Sequence, residues 1–368
     1  MGSHERVGNR FRPEHLVRRM GRLLLTGTAL GLSLSVASLS ASAGSVGGPQ
    51  IQHSRTADAS SEHSFLPNTG PEGCNTPDAL QEAFAKLPAD QWRAADGALS
   101  VNVGRKAVWV FADTIKAGGF AHNTAVVQDG CDFDVVNGGA QIIPNQGRSY
   151  LWPYAAVKYG GKILVSAGVI TSTGNKPGDF SEHGTEAFFL NTDGTFSSRD
   201  RNWPKRSNID WGAGMFVTKH GKLIVYGSED VHRPYVFGRS LREATFSNGR
   251  WHFDRTPVIP TGEGTDTTVS VSYSGGEYHL LTKPQGALGN TLVSYDSPSP
   301  RGPFTEETLV TDLGMKGDHI TYSAEAHDLG GNWVISICQN WLDSARHRIG
   351  SYRPKFLEYF RPKRTSVS

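Results

Sequence analysis

Apolar and polar positions alternate along the chain in short runs of five or six residues, which is the period expected of β-strands. The clearest pair of runs covers residues 96–103 and 108–114, with a Gly-Arg-Lys turn between them. Two alternating strands joined by a tight turn that contains glycine are predicted to form a β-hairpin. An aspartate stands at each end of this hairpin, Asp96 where it starts and Asp113 where it finishes.

The same layout returns about every 55–60 residues, a spacing typical of propeller blades. In each copy a strand of small residues meets a bulkier apolar strand across a turn that contains glycine. The further hairpins are expected at residues 154–166, 211–227, 269–282 and 322–338, and the outer strands at 124–128, 187–191, 235–237 with 250–253, 291–295 and 355–360. Five such units predict an all-β protein, a five-bladed β-propeller. A β-sandwich with irregular hairpins is the alternative.

The first 43 residues are predicted to be a secretory signal peptide. Three arginines, Arg18, Arg19 and Arg22, precede an uncharged apolar run at 23–39, and Ala-Ser-Ala follows at 41–43 as a cleavage site. The apolar run is shorter than the roughly 20 residues of a spanning helix, so we expect a secreted protein without stable membrane insertion.

Two further segments follow the predicted signal peptide. Residues 44–73 are rich in Ser, Gly and Pro and predict a flexible linker. Residues 74–368 are left for the propeller domain. A short helix is expected before its first blade, at residues 77–87, with Asp78 as N-cap.

The charge pattern argues against a nucleic-acid partner. The whole chain has a net charge of +2. Residues 1–43 hold six arginines and two glutamates, a net +4, which leaves about −2 for the rest. A nearly neutral surface lacks the basic patch that releases counterions from phosphates. We expect a monomer.

Three cysteines are present. Cys74 lies before the first blade and Cys131 in the loop after the third strand of that blade, and the two are expected to pair in an oxidising compartment. Cys338 lies in an apolar strand and is expected to be a buried free thiol. No Cys/His spacing matches a zinc site. No cofactor or metal is therefore predicted, although a structural calcium ion is left open.

In a propeller the starts of the inner strands open onto one face, so polar residues there converge in space. Asp96 and Asp113 would lie about 5 Å apart as neighbours on antiparallel strands. The other candidates are predicted substrate contacts: Trp152, Tyr154, Asp210, Trp211, Asp266, Thr268, Tyr322, Glu325 and His327. Glu186, after a predicted loop at 181–185, is a second-tier acid. Turn capping by the aspartates and core packing of the aromatic rings are the alternative interpretations.

Several strings resemble a family of secreted bacterial five-bladed propellers, long catalogued as a domain of unknown function, that includes endo-D-arabinanases. These strings are Asp96-Gly97-Ala98, residues 109–114, 152–156 and 335–340, and Tyr352-Arg353-Pro354. The resemblance implies that Asp96 and Asp113 are the catalytic pair. Ala112 stands where that family usually has glycine, and this change leaves the carboxylate in place.

Paired carboxylates are the groups that glycoside cleavage needs. The leading hypothesis is therefore a secreted glycoside hydrolase acting on a furanose-containing polysaccharide, with D-arabinan as the substrate that the resemblance implies. A non-catalytic carbohydrate-binding or surface-interaction propeller is the first alternative. A sialidase-like or lyase-type enzyme is the second, and it would need an arginine cluster, whereas Arg199, Arg201 and Arg206 fall in predicted loops.

Overall fold

A computed structural model describes residues 70–174, 179–205, 208–229, 239–260, 264–286, 289–315, 319–341 and 352–359. The predicted signal peptide and nearly all of the predicted linker lie outside these residues. The described part is all-β with one α-helix, so the predicted fold class is confirmed at this level.

The strands form five main sheets and one small sheet, and all neighbouring strands are antiparallel. The small sheet consists of β1 (Ala94–Ala95), β4 (Thr114–Lys116) and β5 (Gly119–Ala121). Sheet 1 consists of β2 (Leu99–Val103), β3 (Lys106–Phe111), β6 (Thr124–Asp129) and β7 (Asp132–Val135), after which a short 3-10 turn covers Val136–Gly139.

The other four main sheets are simple meanders in chain order. Sheet 2 consists of β8 (Ser149–Tyr159), β9 (Lys162–Ser172), β10 (Phe180–Leu190) and β11 (Phe196–Asp200). Sheet 3 consists of β12 (Ile209–Val217), β13 (Leu223–Glu229), β14 (Ser240–Ser247) and β15 (Arg250–Phe253). Sheet 4 consists of β16 (Ser270–Ser274), β17 (Glu277–Thr282), β18 (Leu292–Ser297) and β19 (Thr305–Val310). Sheet 5 consists of β20 (His319–Leu329), β21 (Asn332–Trp341) and β22 (Lys355–Glu358).

The first strands of the main sheets contact one another in a closed circuit. β2 contacts β8, β8 contacts β12, β12 contacts β16, β16 contacts β20, and β20 contacts β2. A cavity of about 90 Å³ lies among them and is lined from all five strands, by residues such as Ser100, Ala156, Met215, Ser270 and Glu325. A separate hydrophobic cluster fills each of the five interfaces between neighbouring sheets. Small side chains suit the first strands because these strands crowd around the common cavity.

Helix α1 (Pro77–Ala85) packs where the last main sheet meets the first. Its N-cap is Thr76, whose hydroxyl accepts from the Ala79 amide, so the expectation that Asp78 caps the helix was wrong. Asp78 instead lies in the first turn, where a negative charge suits the helix dipole. The buried Phe84 ring stacks on Phe356 of sheet 5 and meets Trp109 of sheet 1 edge-on.

The Cys74–Cys131 disulfide is present, as predicted, and Cys338 is free and buried. The bond ties the segment before α1 to the turn between β6 and β7. It therefore fastens the start of the described chain to the outer edge of sheet 1.

The outer strands differ from the predictions in sheet 3. Its third strand is β14, which had no predicted counterpart, and residues 250–253 form the fourth strand instead. Residues 235–237 lie outside the described residues. Within the described part of the chain, no helix has the length and apolar character needed to cross a bilayer.

The disulfide yields a first prediction. Denatured, unreduced protein should show one free thiol, from Cys338, when it is titrated with a thiol reagent. The Cys74→Ser/Cys131→Ser double variant should lose about 4 kcal/mol of unfolding free energy, because the bond closes a loop with a sequence separation of 57 residues. Cys338→Ser leaves the bond intact and serves as the control for thiol counting. Three free thiols in the parent protein would contradict the assignment.

Candidate functional site

Asp96 and Asp113 lie side by side at the junction between the small sheet and sheet 1. Asp96 directly follows β1 and Asp113 directly precedes β4. The Asp96 amide donates to the Asp113 carbonyl at 3.1 Å, and the Ala112 amide donates to the Asp96 carbonyl at 2.8 Å. Gly97 has a φ of 65°, and a Cβ there would lie 3.1 Å from the Cβ of Ala112. Only glycine therefore allows this close approach of the two chain segments.

Two tyrosine hydroxyls hold one oxygen of Asp96. Tyr322 and Tyr352 donate to Oδ2 at 2.7 and 2.6 Å, while Oδ1 is buried and accepts no hydrogen bond from the part of the chain that the structure describes. Burial, and after it the negative charge of Asp113, raise the pKa of Asp96 to about 7, against the lowering effect of the tyrosine hydrogen bonds. Asp96 is therefore a carboxyl group that can hold a proton near neutral pH.

Asp113 has different neighbours. The indole Nε1 of Trp152 donates to Asp113 Oδ1 at 2.7 Å, and His122 Nδ1 lies 3.0 Å from the same oxygen. The His122 ring stacks on Tyr150 with ring centroids 3.6 Å apart. Burial, and after it the charge of Asp113, raise the pKa of Tyr150. Asp113 thus faces two N–H-bearing rings and stays partly exposed, at 19% of its side chain.

A second carboxyl group with a raised pKa lies between sheets 2 and 3. The Tyr154 hydroxyl donates to Glu182 Oε1 at 2.8 Å. Burial and the charge of Asp210 raise the pKa of Glu182 to about 7, while Tyr154 and Arg239 lower it. Arg239 pairs with Asp210 through Oδ2. This group brings together two predicted residues, Tyr154 and Asp210, with two that were not predicted.

Asp266 and Lys283 form a third polar group beside sheet 4, Asp266 before β16 and Lys283 directly after β17. Asp266 is buried, its Oδ2 has no hydrogen-bond partner in the described part of the chain, and burial raises its pKa. Burial lowers the pKa of Lys283 to about 8, against the opposing effect of Asp266, and the ammonium group contacts the Thr321 carbonyl and hydroxyl. Thr268, which follows shortly after Asp266 in the chain, is also buried. Its carbonyl accepts a hydrogen bond from the Thr282 hydroxyl.

Two predicted substrate contacts belong to the core instead. Trp211 is fully buried and its ring packs on Phe253 within sheet 3. His327 is 1% exposed, lies between the hydroxyls of Ser100 and Ser336 at 2.8 Å each, and packs on Trp109. Burial lowers the pKa of His327 to about 3, so the ring stays neutral and joins sheet 5 to sheet 1.

The remaining candidates contact groups other than the two aspartates. Glu325 lines the central cavity, its buried Oε1 has no hydrogen-bond partner within the described ranges, and burial raises its pKa to about 8. Glu186 pairs with Arg199 and accepts from Gln146, and Arg201 is exposed. Arg206 lies outside the described residues.

β-Bulges aim several of these side chains. The register of sheet 2 shifts between Pro153 and Ala155, where Tyr154 lies. Comparable shifts occur between Trp211 and Gly214 in sheet 3 and between Tyr322 and Glu325 in sheet 5. Gly212 and Ser323 have positive φ values of 88° and 48° at the last two sites. A bulge redirects the side chain beside it, and the first strands of three main sheets each carry a bulge next to a candidate residue.

Sequence reasoning missed several residues of the site: His122, Tyr150, Glu182, Arg239 and Tyr352. Glu182 was assigned to a loop, whereas β10 begins at Phe180 and carries an irregularity after Glu182. Tyr352 lies in one of the strings that carried the resemblance, and that string was its only signal. Among the described residues, no group of three or more His, Cys, Asp or Glu side chains is placed to hold a metal ion.

Glu325 generates a second prediction. Its pKa is raised from 4.5 to about 8 in the folded protein, so the folded state binds the proton that the unfolded chain releases between these pH values. Stability should therefore fall as the pH rises from about 4.5 to about 8, by about 1.4 kcal/mol per pKa unit that separates the two states. The Glu325→Gln variant should lack the part of this pH-dependent loss of stability that Glu325 causes.

Urea midpoints at pH 5, 6, 7 and 8 measure the effect. Glu306→Gln changes an exposed glutamate of β19 and is the matched control, for which the pH profile of the parent is expected. Superimposable profiles for the parent and Glu325→Gln would contradict the assignment.

Comparisons with known proteins agree with this architecture. A protein from Bacteroides ovatus that carries a provisional hydrolase assignment superimposes on this chain with a TM-score of 0.59. The identity is 16%, over 76% of this chain and 88% of the other. The RS223 β-xylosidase superimposes with a TM-score of 0.52 at 12% identity, over 75% of this chain and 94% of its own. The xylan β-1,4-xylosidase of Bacillus halodurans superimposes with a TM-score of 0.50 at 13% identity, over 69% of this chain and 50% of its own. At such identities the likeness is one of fold.

A sequence search found no match among the curated proteins. Residues 83–361 match the family described as "Domain of unknown function (DUF5005)", which is well over half of the chain. The chain belongs to the DUF5005 family.

Proposed function

We propose that the protein is a secreted glycoside hydrolase built on a five-bladed β-propeller, and that Asp96 and Asp113 are its catalytic pair. The closed circuit of first strands and the central cavity support the assignment of the five main sheets as blades. Two β-xylosidases share this fold, and a shared fold raises the expectation of glycoside hydrolysis without assigning it.

The paired aspartates carry the proposal. Their backbones are joined by a hydrogen bond. The pKa of Asp96 is raised to about 7, whereas the carboxylate of Asp113 contacts Trp152 and His122. Two nearby carboxyl groups whose environments differ in this way suit the acid and the base or nucleophile of glycoside cleavage.

The roles follow from the contacts. Oδ2 of Asp96 already accepts from two tyrosines, so a proton on Asp96 belongs on Oδ1, which has no hydrogen-bond partner among the described residues. Asp96 would give this proton to the leaving oxygen of the sugar. Asp113 would either attack the anomeric carbon or take a proton from the attacking water. The stereochemistry of the first product distinguishes these two roles, since direct attack leads to retention and activation of water leads to inversion.

The substrate class rests on the resemblance of residues 96–98 and 109–114 to the endo-D-arabinanase family, together with the aromatic rings beside Asp113. We assign a furanose-containing polysaccharide of the D-arabinan type. A binding protein without turnover would use the same rings, and the raised pKa of Asp96 favours the enzyme over that alternative.

Asparagine variants test the catalytic assignment. Asp113→Asn and Asp96→Asn should fold normally, because the amide keeps the shape of the acid. Each should lose arabinan cleavage by several orders of magnitude in a reducing-end assay, since an amide transfers no proton and makes no glycosyl bond. In the parent, kcat should fall as the pH rises through about 7, where Asp96 loses its proton.

Two further variants sharpen this experiment. Asp132→Asn alters an exposed aspartate on the outer strand of sheet 1 and should keep full activity. Glu182→Gln removes the other carboxyl group with a pKa near 7. Loss of turnover in Glu182→Gln with near-normal turnover in Asp96→Asn would move the acid role to Glu182. Near-normal turnover in both aspartate variants would end the proposal.

Secretion forms a separate prediction. The exported protein should begin near Gly44, because the basic segment, the apolar run and the Ala-Ser-Ala site precede that residue. N-terminal sequencing of protein from the culture medium measures this. Membrane-bound protein that retains residues 23–39 would show an anchor instead.

A further inference from the structure

Lys283 is a buried lysine whose ammonium group binds the backbone of the neighbouring sheet. The residue follows β17 directly and is 0% exposed. Its ammonium group donates to the Thr321 carbonyl and, at 2.9 Å, to the Thr321 hydroxyl on β20. A buried ammonium group is costly unless it is paired and hydrogen-bonded. Its contacts with a single residue of sheet 5 therefore indicate a role at that residue.

Asp266 is the acidic partner of Lys283. The Asp266 amide donates to the hydroxyl of Thr282, the residue before Lys283, at 3.0 Å. Burial raises the pKa of Asp266, whereas the charge of Lys283 and backbone amides, among them that of Ser323, lower it. The Asp266 carboxyl group therefore faces Ser323. The pair thus meets sheet 5 on both sides of Tyr322, with Lys283 at the residue before it and Asp266 at the residue after it.

Tyr322 lies at the start of the bulge in β20. The register with β21 shifts between Tyr322 and Glu325, and Ser323 has a φ of 48°. This left-handed conformation is disfavoured for serine, so it persists only where neighbouring contacts hold it. The Tyr322 hydroxyl donates to Asp96 Oδ2 at 2.7 Å. The direction of the Tyr322 side chain therefore depends on a bulge that the buried pair holds from both sides.

We propose that Asp266 and Lys283 are positioning residues for the catalytic site, and that they hold the bulge of β20 so that the Tyr322 hydroxyl meets Asp96. This inference rests on the proposed function, since it explains how the acid of that site keeps its hydrogen bond. The pair acts on Asp96 only through Tyr322. That dependence distinguishes a positioning role from a contribution to stability alone.

Lys283→Met tests the role, because methionine removes the charge and fills much of the same space. In the variant, kcat on D-arabinan should fall about ten- to hundredfold with KM nearly unchanged, since a small displacement near the reacting groups has an effect of this size. Asp296→Asn is the matched control. It alters a contact within sheet 4, with His279 Nδ1 at 2.8 Å, and should keep the kcat of the parent.

A double variant keeps the test decisive where a lone buried charge impairs folding. Asp266→Asn/Lys283→Met removes both charges, so its unfolding free energy should recover towards that of the parent. Its kcat should stay low, because the contacts with Thr321 are still missing. Recovery of both stability and kcat would show a purely structural role and contradict the proposal.

The pH profile of kcat reports on the acid. Asp96 faces Asp113, Tyr322, Tyr352 and the buried thiol of Cys338. A tyrosine hydrogen bond favours the ionised carboxylate, so its loss raises the pKa of Asp96. In Tyr322→Phe, the limb on which kcat falls with rising pH should therefore move up by about half a pH unit to one pH unit.

Lys283→Met should move this limb in the same direction, because it displaces the same hydroxyl group. The Tyr322→Phe/Lys283→Met double variant should show no larger shift than Tyr322→Phe alone, since both changes remove one interaction. Additive shifts, or a shift to lower pH in Lys283→Met, would overturn the proposal.

Carbon NMR of the aspartate carboxyl groups separates this inference from the proposed function, because it follows the titration of Asp96 without turnover. Asp96→Asn assigns the resonance. In a parent that cleaves no glycan, a raised pKa of Asp96 in Lys283→Met would support the positioning role although the hydrolase had failed. In an active parent, an unchanged kcat and an unchanged titration in Lys283→Met and in Asp266→Asn/Lys283→Met would overturn the positioning role and leave the hydrolase standing.

Discussion

The contact between the first and last main sheets is the interaction on which the rest of the structure depends. The Ser100 hydroxyl meets His327, the Asn102 amide donates to the Asp328 carbonyl at 2.7 Å, and the Gly97 amide donates to the Cys338 sulfur at 3.0 Å. Helix α1 covers this seam with Leu80 and Phe84. The five main sheets contact one another in a circuit, and this seam is the contact that closes it, so it covers the faces that the first and last sheets would otherwise leave open.

Closure also assembles the environment of Asp96. The aspartate follows β1 near the start of the described chain, and both tyrosines that hold it come from the end, Tyr322 on β20 and Tyr352 before β22. An isolated first hairpin would present two solvated carboxylates with ordinary acidity. Burial by the last sheet raises the pKa of Asp96, so the chemistry depends on a contact between residues more than 220 positions apart.

Much of this arrangement could be predicted from local sequence, because hairpins and their glycine turns are local features. The Asp96–Asp113 pairing followed from one hairpin, and the Cys74–Cys131 bond followed from compartment and position. The β-bulges could not be predicted, since an extra residue leaves the alternating pattern nearly intact while it redirects a side chain. Trp211 was assigned to the site from its position at a strand start, although its ring lies in the core, and Arg239 has no sequence signal at all.

The two aspartates owe their difference to neighbours on opposite sides of sheet 1. Tyr322 of sheet 5 and Tyr352, which precedes its last strand, supply hydroxyl groups to Asp96, whereas Trp152 of sheet 2 and His122, which follows the small sheet, contact Asp113. One hairpin fixes the spacing of the two carboxyl groups. The parts of the chain on either side of that hairpin set the environment of each carboxyl group independently. Changes in sheet 2 can therefore alter the rings that a glycan would meet without disturbing the tyrosines around the acid. Such a division lets one scaffold keep its reactive pair while its sugar-binding surface varies.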